Sequence, residues 1–350
     1  MKLSDLDFQL PEELIARNPT QNRTDSRLMV INSETAQVAE STFSEFHSFL
    51  RPKDLLVLNT TKVLSALSYF YKPSGGKIQV LYLSHEEELA HCFVSGAKIV
   101  KGQRVFCSDN RYSFMIQERN KDGSWVVKSD DISWQDFLNQ YGFPPLPPYI
   151  RRMRKSDNLP EISLEDEVRY QTIWAKDAGS VAAPTASLHF DRLLMRKLKN
   201  IGVEFADIYL HVGQGTFAPI RCEEVSDHPI HSEYFKIDTS VIEKIKQCRT
   251  EGGRVIAVGT TVCRALEGWA RGDREQTNLM ILPGHKFELV DGLLTNFHTP
   301  QSTLLALVSA FAEFHGASRG IDLVKTVYQK AVDRKYRFYS FGDASFWIKP

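Results

Sequence analysis

The sequence predicts a mixed α/β protein, a three-layer αβα-like main domain interrupted by an inserted all-β barrel domain. From about residue 170 onward, apolar segments of helix length and of strand length alternate, as in a sheet covered by helices. Between 68 and 148 the chain changes to short β-rich runs separated by Gly, Asn or Asp turns. That region ends at FPPLPP, where Pro144, Pro145, Pro147 and Pro148 interrupt regular structure. The expected organisation is therefore 1–67 with 149–350 as the main domain and 68–148 as the insertion.

Length and composition permit this plan. A chain of 350 residues, 42% hydrophobic and 25% charged, can bury a large core. No run approaches the ~20 apolar residues of a membrane span. The opening MKLSDLDFQLPEELI lacks the apolar centre of a signal peptide, so a cytoplasmic location with no membrane partner is expected. Lys plus Arg and Asp plus Glu number 43 each, which leaves only a local patch to attract nucleic acid. The five cysteines, Cys92, Cys107, Cys222, Cys248 and Cys263, are scattered and form no CxxC pair. They read as buried thiols rather than as a disulfide framework or zinc knuckle.

In chain order, PEELIA signals a short helix, and SRLMVINS and DLLVLNTT signal strands, the second ending in Asn59, Thr60 and Thr61. The insertion supplies strands KIQVLYL, LAHCFVSG, QRVFC, YSFMIQE and SWVVKS, then a helix at WQDFLNQY. FPPLPPYIRRMRK reads as a stiff extended connector carrying a compact basic group of Tyr149, Arg151, Arg152, Arg154 and Lys155. Helices are then expected at FDRLLMRKLKNIG, SVIEKIKQCRTEGG, VCRALEGWA and STLLALVSAFAEF, alternating with strands at VEFADIYLHVG, RVIAVG and NLMILPG.

Polar chemistry gathers at the ends of these elements. In LLTNFHTPQSTLL, Thr295, Asn296, His298, Gln301, Ser302 and Thr303 surround Pro300 at the start of an apolar helix. GSVAAPTASLHF repeats this with Thr185, Ser187 and His189, and VGTTVCR with Gly259, Thr260 and Thr261. Helix starts present N–H groups without intrahelical partners and favour an anionic or oxygen-rich guest. In HVGQGTF, Gly213 and Gly215 ahead of Thr216 permit close backbone approach to a ligand. These segments should meet in one cleft near the junction of the domains, because ligands lie beyond the carboxyl ends of strands in open α/β sheets. Neither GxGxxG nor a Walker A loop is present, which removes support for NAD, ATP and the usual methyltransferase fold. His189, His211, His228, His231 and His298 could carry protons near neutral pH. His228 and His231 flank Pro229 without a helical register or further ligands, so no metal is expected. The competing reading is capped core helices and hydrogen-bonded packing histidines.

GSVAAPTASLHF, HVGQGTFAPI, DHPIHSEYF, RVIAVGTT, LLTNFHTPQSTLL and YRFYSFGDA occur in one order, with LPPYIRR, RYQTIWA and the N-terminal MKLSDLDFQLPEELIA before them. Together they resemble the S-adenosylmethionine:tRNA ribosyltransferase-isomerase family over nearly the whole chain. The resemblance implies an enzyme of queuosine biosynthesis, with an α/β domain and an inserted β barrel. It would move the ribosyl part of S-adenosylmethionine onto 7-aminomethyl-7-deazaguanine at the wobble position of a tRNA anticodon loop. Epoxyqueuosine forms, and adenine and methionine leave. S-adenosylmethionine is then a co-substrate, no prosthetic group is needed, and the protein is expected to be a monomer.

That chemistry needs a base at the ribose C5′ proton, which the sulfonium acidifies, and donors for adenine and for developing oxyanions. The expected proton carriers are His189, His211 and His298. Asn59, Thr185, Ser187, Gly213, Gly215, Thr216, Thr260, Thr261, Asn296 and Thr303 are expected to bind substrate, and Tyr149, Arg151, Arg152 and Arg154 to bind RNA. The chain also departs from the family. Where relatives read NDTRVIPARLFG, it has NTTKVLSALSYF, so that Thr60, Leu67 and Phe70 replace Asp, Arg and Gly; Gln79 replaces the Glu after Gly-Gly-Lys. The stretch between Trp269 and Pro283 is also short, lacking Gly-Trp-Thr. These changes leave two alternatives open: a relative using S-adenosylmethionine on another acceptor, or a non-catalytic RNA binder.

Overall fold

The computed structural model describes residues 1–211, 220, 222–230 and 232–349. Its strands and helices begin with β1 (Arg27–Asn32), β2 (Val38–Thr42), β3 (Leu55–Asn59) and β4 (Thr61–Val63). Next come β5 (Leu67–Tyr71), β6 (Lys77–Glu86), β7 (Leu89–Gly96), β8 (Gln103–Phe106), β9 (Ser113–Arg119) and β10 (Trp125–Ser129). The helices α1 (Trp134–Tyr141), α2 (Pro148–Ser156) and α3 (Leu164–Arg169) follow. The remainder is β11 (Asp177–Ser180), α4 (Arg192–Asn200), β12 (Glu204–Leu210), β13 (Glu233–Lys236), α5 (Thr239–Thr250), β14 (Val255–Val258), α6 (Thr260–Ala270), β15 (Gln276–Thr277), β16 (Gly292–Asn296), α7 (Thr303–Phe314), α8 (Gly320–Asp333) and β17 (Ala344–Ile348). The chain forms two compact units, 1–62 with 171–350, and 63–170. The second unit thus carries α2 and α3 along with the β-rich region.

In the first unit a nine-stranded sheet of described residues runs in the order β15-β13-β12-β3-β14-β16-β17-β1-β2. Strands β12, β3, β14 and β16 are mutually parallel, whereas β17 runs antiparallel to β16 and parallel to β1. Alternate residues feed two cores, as a pleated strand requires. Leu55, Val57, Val255, Ala257 and Leu293 pack with α5, α6, α7 and α8 on one face. Leu56, Leu58, Ile256, Val258 and Leu294 pack on the other with Phe43, Phe46, Phe190 and the α4 residues Leu194 and Leu198. The expected three layers result.

The second unit is built on a closed antiparallel barrel, β10-β7-β6-β5-β8-β9. Closure leaves no free sheet edge. Phe70 fills its interior, 4.5 Å from the Phe114 ring and stacked at 5.2 Å on Phe137 of α1.

Several local expectations are corrected. PEELIA makes only a 3-10 turn, Glu12–Leu14, because Ile15 and Ala16 pair with Phe338. NLMILPG is not a strand; only Gln276 and Thr277 pair, while Leu279 and Ile281 enter the core as irregular backbone. FPPLPPYIRRMRK is not extended throughout. Pro148 occupies the first turn of α2, where a missing N–H costs nothing, and the helix continues through the basic residues. Cys222 is half-buried, unlike the other four free thiols. Neither α8 nor β17 was anticipated, although α8 buries Ile321, Val324, Val327, Tyr328 and Ala331 at helical spacing.

Candidate functional site

Parallel β3, β12, β14 and β16 direct their carboxyl ends to one sheet edge. They deliver Asn59, His211, Gly259 and Asn296 there. Successive residues at that edge belong to opposite faces, so the sheet sorts the polar groups into two sets.

On the α4 face a hydrogen-bonded chain begins at Thr185, which is half-buried. Thr185 Oγ1 donates to Asn296 Oδ1 at 2.9 Å, and Asn296 Nδ2 lies 3.1 Å from His189 Nε2. The amide can only donate, so Nε2 accepts and the His189 proton resides on Nδ1, 3.0 Å from Ser26 Oγ. Burial, reinforced by the Arg337 and Arg23 guanidiniums, pushes this imidazole down to about 3. His189 is therefore neutral at physiological pH with both nitrogens engaged. It holds the Asn296 amide in one orientation. Ser187, in the same 3-10 turn Thr185–His189, is fully buried and its hydroxyl has no partner among the described residues.

The same face carries His211. Its Nε2 is 2.8 Å from Tyr209 Oη, whose single proton is donated to Ala178 O at 3.2 Å. Unlike His189, His211 is only half-buried; burial lowers its pKa, opposed by the Gly179 backbone. A Cβ on Gly179 would lie 2.2 Å from Tyr209 Oη and 2.8 Å from His211 Nε2. Only glycine leaves room for the pair.

On the opposite face, α6 begins at Gly259, whose φ of 104° is a left-handed conformation. No side chain caps this helix, and Thr260 and Thr261 are buried at its first turn. Asn59, beside Gly259 in the extrapolated β3–β14 register, is fully buried. Its Oδ1 accepts from Thr61 N at 3.0 Å and Leu210 N at 3.2 Å on the β12 side, while its Nδ2 has no partner among the described residues. A buried unpartnered donor costs ~1–3 kcal/mol, which a ligand oxygen would recover. By contrast, α7 is closed: Ser302 Oγ accepts from Leu305 N, leaving Thr303 half-buried at the first helical position. His298 Nε2 bonds Thr295 Oγ1 at 2.9 Å and its backbone N–H meets Tyr328 Oη at 3.1 Å. Burial pushes the His298 imidazole down to about 3 as well.

Gly213, Gly215, Thr216 and His231 lie outside the described residues. Among the described residues no group of three or more His, Cys, Asp or Glu could hold a metal ion. The basic residues expected as a group on 149–155 are divided between the interior and the surface. Arg151 is 9% exposed and donates to Gln79 Oε1 at 2.5 Å; Arg154 is 2% exposed and grips Asp166 bidentately at 2.6 and 2.9 Å. Their helical spacing places both with Ile150 and Met153 on the buried side, leaving Arg152 exposed and Tyr149 half-buried. The residues that depart from the expected pattern have local partners: Phe70 packs in the barrel, Gln79 accepts from Arg151, Thr60 Oγ1 donates to Ile208 O at 3.3 Å, and the Leu67 side chain is buried. Ser26, Tyr209 and Gly179 escaped assignment from sequence. Tyr209 and His211 do share one strand face at spacing i, i+2, a signal available in FADIYLH.

A sheet edge bearing an uncapped helix start, buried polar groups and a half-buried imidazole, in a chain with an inserted barrel, is the candidate site of an α/β enzyme. The family model described as "Queuosine biosynthesis protein" matches residues 3–347. The S-adenosylmethionine:tRNA ribosyltransferase-isomerase of Halothermothrix orenii is 45% identical, covering 98% of this chain and 99% of that protein. That of Dichelobacter nodosus is 42% identical, covering 99% and 96%. The crystal structure of S-adenosylmethionine tRNA ribosyltransferase from Thermotoga maritima superposes with a TM-score of 0.54 at 32% identity, over 98% of this chain and 100% of that one. The chain belongs to the queuosine biosynthesis protein family.

Proposed function

We propose that this enzyme is an S-adenosylmethionine:tRNA ribosyltransferase-isomerase that converts 7-aminomethyl-7-deazaguanine in tRNA to epoxyqueuosine. The observation that carries the reading is end-to-end similarity to enzymes of that name, over 98% of the chain at 45% identity. The sheet edge supports it chemically. His211 is the proton carrier: it is half-buried, its pKa is below the ordinary histidine value, and Tyr209 orients its Nε2. Neutral at working pH, it can accept the ribose C5′ proton that the sulfonium acidifies. His189 and Asn296 act as positioning residues, aiming the Thr185 hydroxyl through the chain ending at Ser26. Asn59 Nδ2, Ser187 Oγ and the first-turn N–H groups of α6 supply donors for ribose oxygens or the methionine carboxylate.

The acceptor is the wobble base of the anticodon loop, and the enzyme works as a monomer in the cytoplasm. Among the described residues no helix is long and apolar enough to cross a membrane. Phe70, which replaces the family glycine, packs inside the barrel and gives no support for a different acceptor. Incubation with S-adenosylmethionine and tRNA bearing the deazaguanine base, read by nucleoside mass spectrometry, tests the reading. Epoxyqueuosine and adenine should appear together. Adenine without modified tRNA would point to another acceptor, and absence of both would reject the activity.

A further inference from the structure

With Arg151 and Arg154 buried, α2 keeps only Arg152 and Lys155 exposed, whereas α4 presents a longer run of cations. This helix, RLLMRKLKN, contains Arg192, Arg196, Lys197 and Lys199 and no acidic residue. Leu194 and Leu198 anchor it in the core at 2% and 0% exposure. Arg192, Arg196 and Lys199 are exposed, and their i, i+4, i+7 spacing draws them into one stripe. The stripe spans ~10 Å along the helix axis. None of the three has an acidic partner among the described residues; Lys199 Nζ instead sits 5.9 Å over the Phe205 ring. The adjacent carboxylate, Asp191, is occupied as the helix cap, accepting from Leu194 N at 2.7 Å.

The other exposed helices of this unit differ. On α5, Glu243 accompanies Lys244 and Lys246; on α8, Asp322 and Asp333 accompany Lys325 and Lys330. A groove of about 390 Å³ continues the surface from Lys199 past Met195 to Lys244 and the half-buried Trp174. Asp207 and Asp238 also line it, but Asp207 pairs with Lys176 at 2.5 Å and Asp238 lies 3.8 Å from Lys236. The indole N–H of Trp174 donates to Asn59 O at 3.0 Å, and α4 follows directly from the His189 segment. The stripe is therefore built onto the same framework as the candidate site.

We infer that Arg192, Arg196 and Lys199 form a docking stripe for the phosphate backbone of the tRNA substrate. The inference rests on the proposed tRNA-modifying activity and assigns a surface to it. Phosphate contacts release counterions, so each should steepen the salt dependence of binding. The full-length triple variant Arg192→Gln, Arg196→Gln, Lys199→Gln should lower the slope of log affinity against log salt by about 2–3. Its tRNA Kd at ~0.1 M salt should rise on the order of ten-fold or more. S-adenosylmethionine affinity and thermal melting should not change.

The charge-retaining variant Arg192→Lys, Arg196→Lys, Lys199→Arg should keep the wild-type slope. So should Lys246→Gln, Lys286→Gln, Lys335→Gln, which neutralises exposed cations elsewhere. Unchanged tRNA affinity and slope in the α4 triple variant, while the wild type modifies tRNA, would overturn the inference. Equal weakening in the control triple would overturn it too, as a general charge effect. Retained tRNA binding with lost binding to anionic phospholipid vesicles would overturn it in favour of a membrane surface. A wild type that neither binds nor modifies tRNA would instead reject the parent activity, and this surface with it.

Discussion

Replacing Gly179 by alanine tests the proton carrier without touching it. The added methyl carbon would stand 2.2 Å from Tyr209 Oη, 2.7 Å from His211 Cε1 and 2.8 Å from His211 Nε2. Ordinary contact begins near 3.4 Å, so the phenol must retreat by more than an ångström, breaking its 2.8 Å bond to His211. Gly179 does not occupy a positive-φ conformation, so alanine adds no backbone strain of that kind. Both rings are only half-buried and can swing outward, which should hold the stability loss to ~1–3 kcal/mol. Catalysis should suffer more, since a misplacement of about 1 Å can cost ~100-fold.

The pH profile gives a second readout. Burial depresses the His211 pKa below its ordinary value, and displacement toward water should raise it. A base works only when deprotonated, so the acid limb of kcat/KM for adenine release should move to higher pH in the variant. A folded Gly179→Ala protein with kcat/KM within about three-fold of wild type and an unmoved acid limb would refute His211 as the base.

Two other perturbations separate function from packing. Ser187→Ala removes a fully buried, unpartnered hydroxyl, so the ligand-free protein should melt at the same temperature or slightly higher, by up to ~1 kcal/mol of stability. The KM for S-adenosylmethionine should rise about 3- to 10-fold, and an unchanged KM would remove Ser187 from the site. Acid titration of stability tests the two buried imidazoles: His189 and His298 are held at about 3, against about 6.5 when unfolded. Between those values the unfolded chain binds more protons, so stability is full above pH ~6.5 and declines as pH falls toward ~3. The loss is at most on the order of 5 kcal/mol per histidine, and it should shrink in His298→Gln. Denaturant midpoints that stay flat from pH 7 to 4 would contradict the burial argument.

Much of the fold was legible because its signals are local. Strands β1, β3, β6, β7, β9 and β14 coincide with apolar runs, and α4, α5, α6 and α7 with helical periodicity, with α4 and α7 also capped by Asp191 and Ser302. NLMILPG shows where local reading fails. An apolar run of strand length is equally suited to filling a core as irregular backbone, and only its neighbours decide. Likewise PYIRRMRK has the composition of a surface patch, yet which side of α2 is buried depends on Gln79, 72 positions from Arg151, and on Asp166, 12 positions beyond Arg154.

By itself the sequence determined the alternation of elements, the barrel texture of the insertion, the motifs that mark the family, and the placing of polar residues at strand ends. Those properties depend on spacing, turn chemistry and residue order along the chain. The tertiary structure alone decided which polar residues work together. His189 meets Ser26 across 163 positions and Asn296 across 107, and those contacts leave it a buried imidazole with both nitrogens engaged. His211 keeps its freedom because Gly179, brought against it by folding, leaves room for Tyr209. A histidine's role depends on its desolvation and on what its two nitrogens meet, and both are properties of three-dimensional neighbours that residue spacing does not encode.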